Sequence, residues 1–474
     1  MKKTMKIICS LIALTLLLSF AGCRDLDIFG PGGGDGGFEN PEGLPVLTVW
    51  GSIPVDLPNY NQILSVDPEN KSALLVKNVI KGFEAEYDCK IKLLNKGWDG
   101  DLNEALLKAI KSNETVDVVC GERFIKAYID AGHFAEIDLG EYDGKIIESA
   151  LTPGQKNGKT YAVPVLSGSF GLCVNKKALR SAGVIDDNDE PAQKYIDAGI
   201  DPLAPAYWED LLEICQDIKA TYTAQSKDNY GGIVMNMTKN DSSWRSLTYM
   251  RSAGGAMFDE GQDKFVLDSA ENQRAYDMMR ALNAVSPAGS INYQYVSELV
   301  DTVFNGFAAY MVEGLDFVIR SDGKSYESDM IVAELPMFKG VETKSNVLTG
   351  TVYYSIMQKS KQKELGEAFI KYMLRDWVQM QCLENGFRVP VVKDFLAGED
   401  IKEANNYSRM APFFKPFIDA SYNFSGGIPS VPKNASLVWD TWYDFIQDLY
   451  LTSEGVASLS GRYNTEINEM KDRE

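Results

Sequence analysis

Histidine is nearly absent: the chain has 474 residues and one imidazole, His133. Most Ser-His, Cys-His and zinc–histidine sites fall with that absence, because each needs an imidazole as base or ligand. Basic residues are also short, 47 Lys and Arg against 67 Asp and Glu, for a net charge of −20. A nucleic-acid partner needs clustered cations, so that class is excluded. Beyond residue 23 the cysteines are few and odd in number: Cys89, Cys120, Cys173, Cys215 and Cys382. Their spacings fit no metal motif, and Cys89, Cys173 and Cys215 lie among apolar neighbours, where thiols are buried. No repeat of solenoid or propeller length recurs. Long apolar runs are missing except at the amino terminus.

There, Lys2, Lys3 and Lys6 precede an apolar run, Ile7 to Phe20, too short to span a bilayer comfortably. The run ends in Leu18-Ser19-Phe20-Ala21-Gly22-Cys23. Residues 1–22 therefore read as an export signal. Small residues just before a cysteine resemble the lipobox of bacterial lipoproteins, which implies Cys23 as the lipid-bearing first residue of the mature chain. The alternative is ordinary secretory cleavage with an incidental cysteine. Residues 23–44 form a tether around Pro31 to Gly37. No strand precedes these glycines and no Lys-Ser/Thr closes them, so they are not a phosphate loop. As a coil, such a tether spans about 25 Å.

The folded part is expected from Pro45. Val46–Trp50, Lys90–Leu94 and Val116–Val119 read as strands, with amphipathic helices between them. That alternation predicts an open parallel α/β sheet, whose ligands sit at the carboxyl ends of its strands. Further on, helices are expected at Trp208–Ile218, Ser243–Ala253, Glu271–Val285, Val296–Gly306, Leu365–Glu384 and Val438–Leu451. Strands are expected at Gly231–Met235, Ala308–Val312, Ile331–Leu335 and Val347–Met357. Between the halves lies Gly158–Leu179, where Tyr161–Leu166 and Phe170–Val174 are extended and Ser167-Gly168-Ser169 breaks them. The stretch reads either as a crossing between two lobes or as a plain hairpin.

In order along the chain stand LTVWG, VDVVCGE, AGHFAEID, GKTYAVPVLSGSFGLCVNKKAL, WEDLLEI, SAGGAMFDE, FNGFAAYMVEGLDF, VAELPMFKG and LTGTVYYSIMQKSKQKELGEAFIKYML. Together these resemble the extracellular solute-binding proteins of ABC importers, the type that includes maltose-binding protein. The resemblance covers Val46 to about Leu451; an acidic insertion, Ile185–Pro205, departs from it. It implies a two-lobed periplasmic-binding-protein-like α/β fold. One lobe would hold 45–165 plus 349–392, the other 166–348 plus 393–474. It also implies a carbohydrate solute bound in an interlobe cleft and an ABC permease as partner. The protein would be a monomer without cofactor or catalysis, lipid-anchored at the extracytoplasmic face of the cell membrane.

By the same resemblance Trp244, placed ahead of Gly254-Gly255, would stack on a sugar ring; its competing reading is a core stripe with Leu247 and Met250. Trp439 would act similarly, against a core face with Trp442, Ile446 and Leu449. Phe170 could stack at the crossing. Ser52, Glu122, Glu313 and Asp316 stand at strand ends where polar groups could take hydroxyls, each competing with an exposed surface role; Tyr353 and Arg388 are weaker candidates. Asp186 to Glu190 could offer oxygens to Ca²⁺, but lacks the EF-hand glycine and reads better as a solvated acidic loop. Rival classes are a surface glycoside-active enzyme, for which no carboxylate pair is singled out, and a receptor for a peptide or cationic solute.

Overall fold

The computed structural model describes residues 38, 40–51, 71–96, 99–114, 116–121, 125–239, 241–259, 261–315, 317, 327–342, 348–385, 389–393, 416–417 and 435–471. Val46–Trp50 (β1) pairs in parallel with Lys90–Leu94 (β2), Val46 opposite Lys90 through Trp50 opposite Leu94. On its other side it pairs in parallel with Val118–Gly121 (β3). Parallel neighbours need crossovers, and helices Lys71–Tyr87 (α1) and Asp99–Ser112 (α2) supply them. Leu47 and Val49 pack with Val79, Ile80 and Phe83 of α1, whereas Trp50 packs with Leu102, Leu106 and Ala109 of α2. Apolar runs buried on both faces are what a helix-covered parallel sheet requires. Gly51 ends β1 with φ +108°, and a Cβ there would run into the Cys120 carbonyl.

A turn is present at Asn157-Gly158. Both residues have positive φ, +53° and +74°, as a tight two-residue hairpin turn demands. The chain then runs through Val163–Ser169 (β4) and Gly171–Asn175 (β5), every residue of both buried. These strands enter different sheets, so they are no hairpin. The break expected at Ser167–Ser169 is absent; the change of sheet falls at Phe170. The small polar residues stay inside β4 because their hydroxyls find partners: Ser167 Oγ lies 3.1 Å from Thr351 Oγ1, and Ser169 donates to the Phe417 carbonyl at 2.9 Å.

In the second sheet, Gly231–Val234 (β6) lies parallel to Ala308–Glu313 (β7). β5 is antiparallel to β7 and to Met330–Ala333 (β8), giving the order β8-β5-β7-β6. Helix Trp208–Ala224 (α3) presses Trp208, Leu211, Ile214 and Ile218 into the core. It approaches so closely that a Cβ on Gly232 would overlap Cys215. Helix Asp241–Ser252 (α4) follows β6.

The chain returns to the first sheet as Leu348–Ile356 (β9) and Val389–Pro390 (β10), completing the order β10-β4-β9-β3-β1-β2. β9 is antiparallel to both β3 and β4, so only the β2-β1-β3 half is the parallel sheet expected. The single helix expected over Leu365–Glu384 is two, Lys363–Met373 (α5) and Asp376–Asn385 (α6). Buried Gln379 holds the corner: its amide donates to the Met373 and Val165 carbonyls at 2.8 Å each and accepts from the Val391 N–H at 3.0 Å. Arg375, at the break, clamps Glu86 at 2.6 and 2.7 Å. The chain finishes on the second core with Ala435–Leu451 (α7) and Val456–Lys471 (α8). Helix α8 was not expected; Leu459, Tyr463 and Ile467 bury its inner face.

Contacts ahead of Pro45 are present as well. Asn40 closes a turn onto Leu44, donating to its carbonyl at 2.8 Å and accepting from its N–H at 3.0 Å, and Phe38 packs on the first core. Cys89, Cys120, Cys173, Cys215 and Cys382 are all buried, and none is in a disulfide.

Candidate functional site

Because β6 and β7 are parallel neighbours, their carboxyl ends open on the same side. The chain leaving β6 turns into α4, and the chain leaves β7 at Glu313-Gly314. Serines fix α4 against the core. Ser252 accepts from the Trp208 indole N–H and Ser246 from that of Trp442, both at 2.8 Å. Gly254, at φ +84°, lets the helix stop, and the Gly255 N–H returns to the Met250 carbonyl at 2.8 Å. Held this way, α4 buries Leu247 and Met250 and leaves Trp244 half-buried at the core's edge. Trp439, buried on α7 along the face of Trp442, Ile446 and Leu449, meets it. The two indole centroids are 5.4 Å apart and the planes are tilted by 56°.

The residue after Trp244 in α4, Arg245, carries a buried charge system. Arg245 Nη2 donates to both Glu313 oxygens at 2.6 and 2.7 Å, and Nη1 stands 3.0 Å from Asp241 Oδ1. The guanidinium carbon sits 5.2 Å from the centroid of Phe170, within cation–π range. Burial opposes the charge on Arg245, but Glu313 and Asp241 more than offset it and raise its pKa above the ordinary arginine value. Glu313 also accepts from the Gly314 N–H at 2.7 Å.

Arg245, which the sequence reading missed, joins two of the expected site residues, Phe170 and Glu313, while the other two, Trp244 and Trp439, meet each other. No local signal joins Arg245 to Glu313, since the two are distant in the chain. Its place one helical turn after Asp241 was the available clue. Tyr353 lies elsewhere, buried in β9 with its hydroxyl donating to the Ala150 carbonyl at 2.7 Å. Ser52, Glu122, Asp316 and Arg388 lie outside the described residues, as do residues 1–22 and Cys23. In the acidic loop Asp189 is taken by Lys176 at 2.9 Å and by Arg180, and Asp186 caps the Asn188 and Glu190 N–H groups. Those partners hold the Asp189 carboxyl below its usual range against the opposing effect of burial. Among the described residues no group of three or more His, Cys, Asp or Glu could hold a metal.

Two α/β sheets, each with its own core and linked by repeated passages of the chain, define a two-lobed binding-protein architecture. Solved structures share it. The GacH receptor of Streptomyces glaucescens, solved unliganded and with acarbose, superposes with a TM-score of 0.67 at 18% identity, over 91% of this chain and 100% of that one. The cyclic alpha-maltosyl-1,6-maltose binding protein of Arthrobacter globiformis gives 0.69 at 17% identity, over 90% and 99%. The chain belongs to the bacterial extracellular solute-binding proteins, whose family model matches residues 67–380. A protein of Brucella abortus (strain 2308) named as a binding protein is 25% identical over 166 residues, 34% of this chain. That match spans 35% of the Brucella protein's length. No helix among the described residues is long and apolar enough to cross a membrane.

Proposed function

We propose that the protein is the carbohydrate-capturing component of an ABC importer, without catalytic activity, tethered to the extracytoplasmic face of the membrane through Cys23 and residues 23–44. The observation that carries this reading is the Trp244–Trp439 pair at the carboxyl end of the second sheet. A partly buried indole such as Trp244 offers a flat apolar face to the C–H side of a pyranose, worth on the order of 1 kcal/mol by analogy with aromatic pairs. The sugar ligands named for the structural relatives support the same class. Lobes of 45–165 plus 349–392 and of 166–348 plus 393–474 would close on the solute, and the closed form would engage the permease as a monomer.

A cationic solute is the weaker reading for a specific reason: Glu313, the buried carboxylate of the site, is neutralised by Arg245. Isothermal titration of the full-length protein in detergent against oligosaccharides, amines and peptides tests the choice. An oligosaccharide bound and recovered unchanged is the expected result. Binding of amines or peptides alone would overturn the carbohydrate class, and consumption of the sugar would point to an enzyme. Trp244→Ala should weaken the sugar roughly fivefold or more at an unchanged melting temperature; an unchanged Kd would remove Trp244 from the site.

A further inference from the structure

The amino-terminal ends of β1, β2 and β3 form one pole of the first sheet, opposite the ends where ligands sit. The chain enters the fold at this pole: the Lys90 N–H donates to the Pro45 carbonyl at 2.9 Å, at the start of β1. Two more segments meet there. Helix α2 ends at Ser112, shortly before β3, and residues 357–362 lead from the end of β9 into α5. Buried Asp117 ties that loop to β1, accepting from the Thr48 N–H at 2.9 Å and from Ser360 Oγ at 2.6 Å. Lys359 ties it to the end of α2, donating to Asn113 Oδ1 at 2.8 Å.

These two segments are rich in lysine. Lys108 and Lys111 are exposed on the last turns of α2, Lys359 and Lys361 are exposed in the loop, and Lys363 opens α5 half-buried. None of them pairs with a carboxylate among the described residues. Glu114 and Glu364 are the exposed acids of the same segments. Lys90, by contrast, is taken by Glu42 at 3.8 Å. Leu107 stands beside Lys108 and Lys111 on α2, 44% exposed. A large apolar side chain among lysines suits the boundary between headgroups and acyl chains. In a chain of net charge −20, cations gathered without carboxylate partners present a face to an anionic surface.

We infer that this lysine pole rests on the anionic phospholipid headgroups of the membrane that anchors the chain. The inference rests on the proposed anchor at Cys23 and adds a protein surface to it. The anchor brings a bilayer within reach. From Cys23 to Phe38 the chain spans at most about 50 Å when fully extended, and Phe38 already packs on the first core. Anionic lipid attracts lysines that come within a Debye length of its surface, about 8 Å at physiological salt. The same surface repels the acidic remainder of the molecule, so the charge distribution orients the protein as well as holding it. The carboxyl ends of β1 and β3 then point away from the bilayer.

The experiment mixes the full-length protein with vesicles of phosphatidylcholine alone and of phosphatidylcholine with phosphatidylglycerol. Flotation and lysine acylation, read by mass spectrometry, are compared between them. The protein should float with both. Lys108, Lys111, Lys359 and Lys361 should be acylated roughly fivefold more slowly on the anionic vesicles, and about 1 M salt should abolish the difference. Lys194, exposed in the acidic insertion, should react alike on both. The combined variant Lys359→Glu, Lys361→Glu, Lys363→Glu should lose the protection of Lys108 and Lys111 while melting as the wild type does. Lys108→Glu with Lys111→Glu, read at Lys359 and Lys361, carries the test if the loop variant fails to fold. Equal acylation on both vesicles, or protection that persists in the folded variants, would overturn this inference and leave the anchor standing. Flotation with anionic vesicles alone would support the lysine contact and overturn the anchor. Flotation with neither would overturn both.

Discussion

Arg245 and Glu313 are the residues on which the second lobe's site depends, and their energetics are unusual. Arg245 is 7% and Glu313 3% exposed, so each relies on the other to offset the cost of burying its charge. Breaking such a pair leaves an uncompensated buried charge and costs roughly 3–5 kcal/mol, whereas replacing both with apolar groups can be nearly neutral. Glu313→Gln should therefore lower stability in urea denaturation by about that amount. Arg245→Met combined with Glu313→Leu should lower it less than either single change. A Glu313→Gln loss below about 1 kcal/mol would show that the pair is solvated rather than buried. The thiols make a second prediction at this scale. Burial pushes Cys89 up to about 11 and raises Cys173, Cys215 and Cys382 as well. At neutral pH these groups stay protonated and inert. A thiol reagent should label none of the four in the native protein and all four in guanidinium; labelling of Cys89 before unfolding would contradict its burial.

Between elements, what could be read from the sequence followed contact range. Strands β1, β2 and β3 and their crossover helices were legible because strand and helix periodicities are local, and parallel pairing follows from their alternation. The antiparallel entry of β9 was not, since nothing near Leu348–Ile356 states that its neighbours are Val118–Gly121 and Val163–Ser169. The corner between α5 and α6 shows the same limit. Leu365–Glu384 has no proline or internal glycine beyond Gly366 to mark a break, and the cause is Gln379 reaching Val165 and Val391. Of the candidate site, Trp244, Trp439, Phe170 and Glu313 were named from the sequence, whereas Arg245 was not, because its tie to Glu313 is a contact between residues distant in the chain. The Gln379 staple is directly testable. Gln379→Leu leaves the Val391 N–H and the Met373 and Val165 carbonyls without their partner. An orphaned buried group costs about 1–3 kcal/mol, so a loss of at least about 2 kcal/mol is expected in thermal or urea unfolding. A variant as stable as the wild type would mean that the two helices hold their angle by apolar packing alone.

For the molecule as a whole, the question is how capture of a solute becomes a change of shape. The strands that change sheet meet at Phe170, which is buried under the Arg245 guanidinium. Trp244 precedes Arg245 in the chain, so the proposed sugar platform is next in sequence to the residue that covers the passage between the sheets. A ligand shifts such an equilibrium only by as much as it prefers one state over the other. A sugar touching Trp244 alone would bind open and closed forms equally and move nothing. A sugar also touching the first lobe would favour closure. Small-angle scattering should therefore give a smaller radius of gyration for the wild type saturated with its glycan than for the free protein. The Trp244→Ala variant should contract equally once its weakened site is saturated, because the platform supplies affinity and the first lobe supplies the preference. No contraction in the wild type at saturation would mean that the solute contacts the second lobe alone. Capture would then proceed without closure.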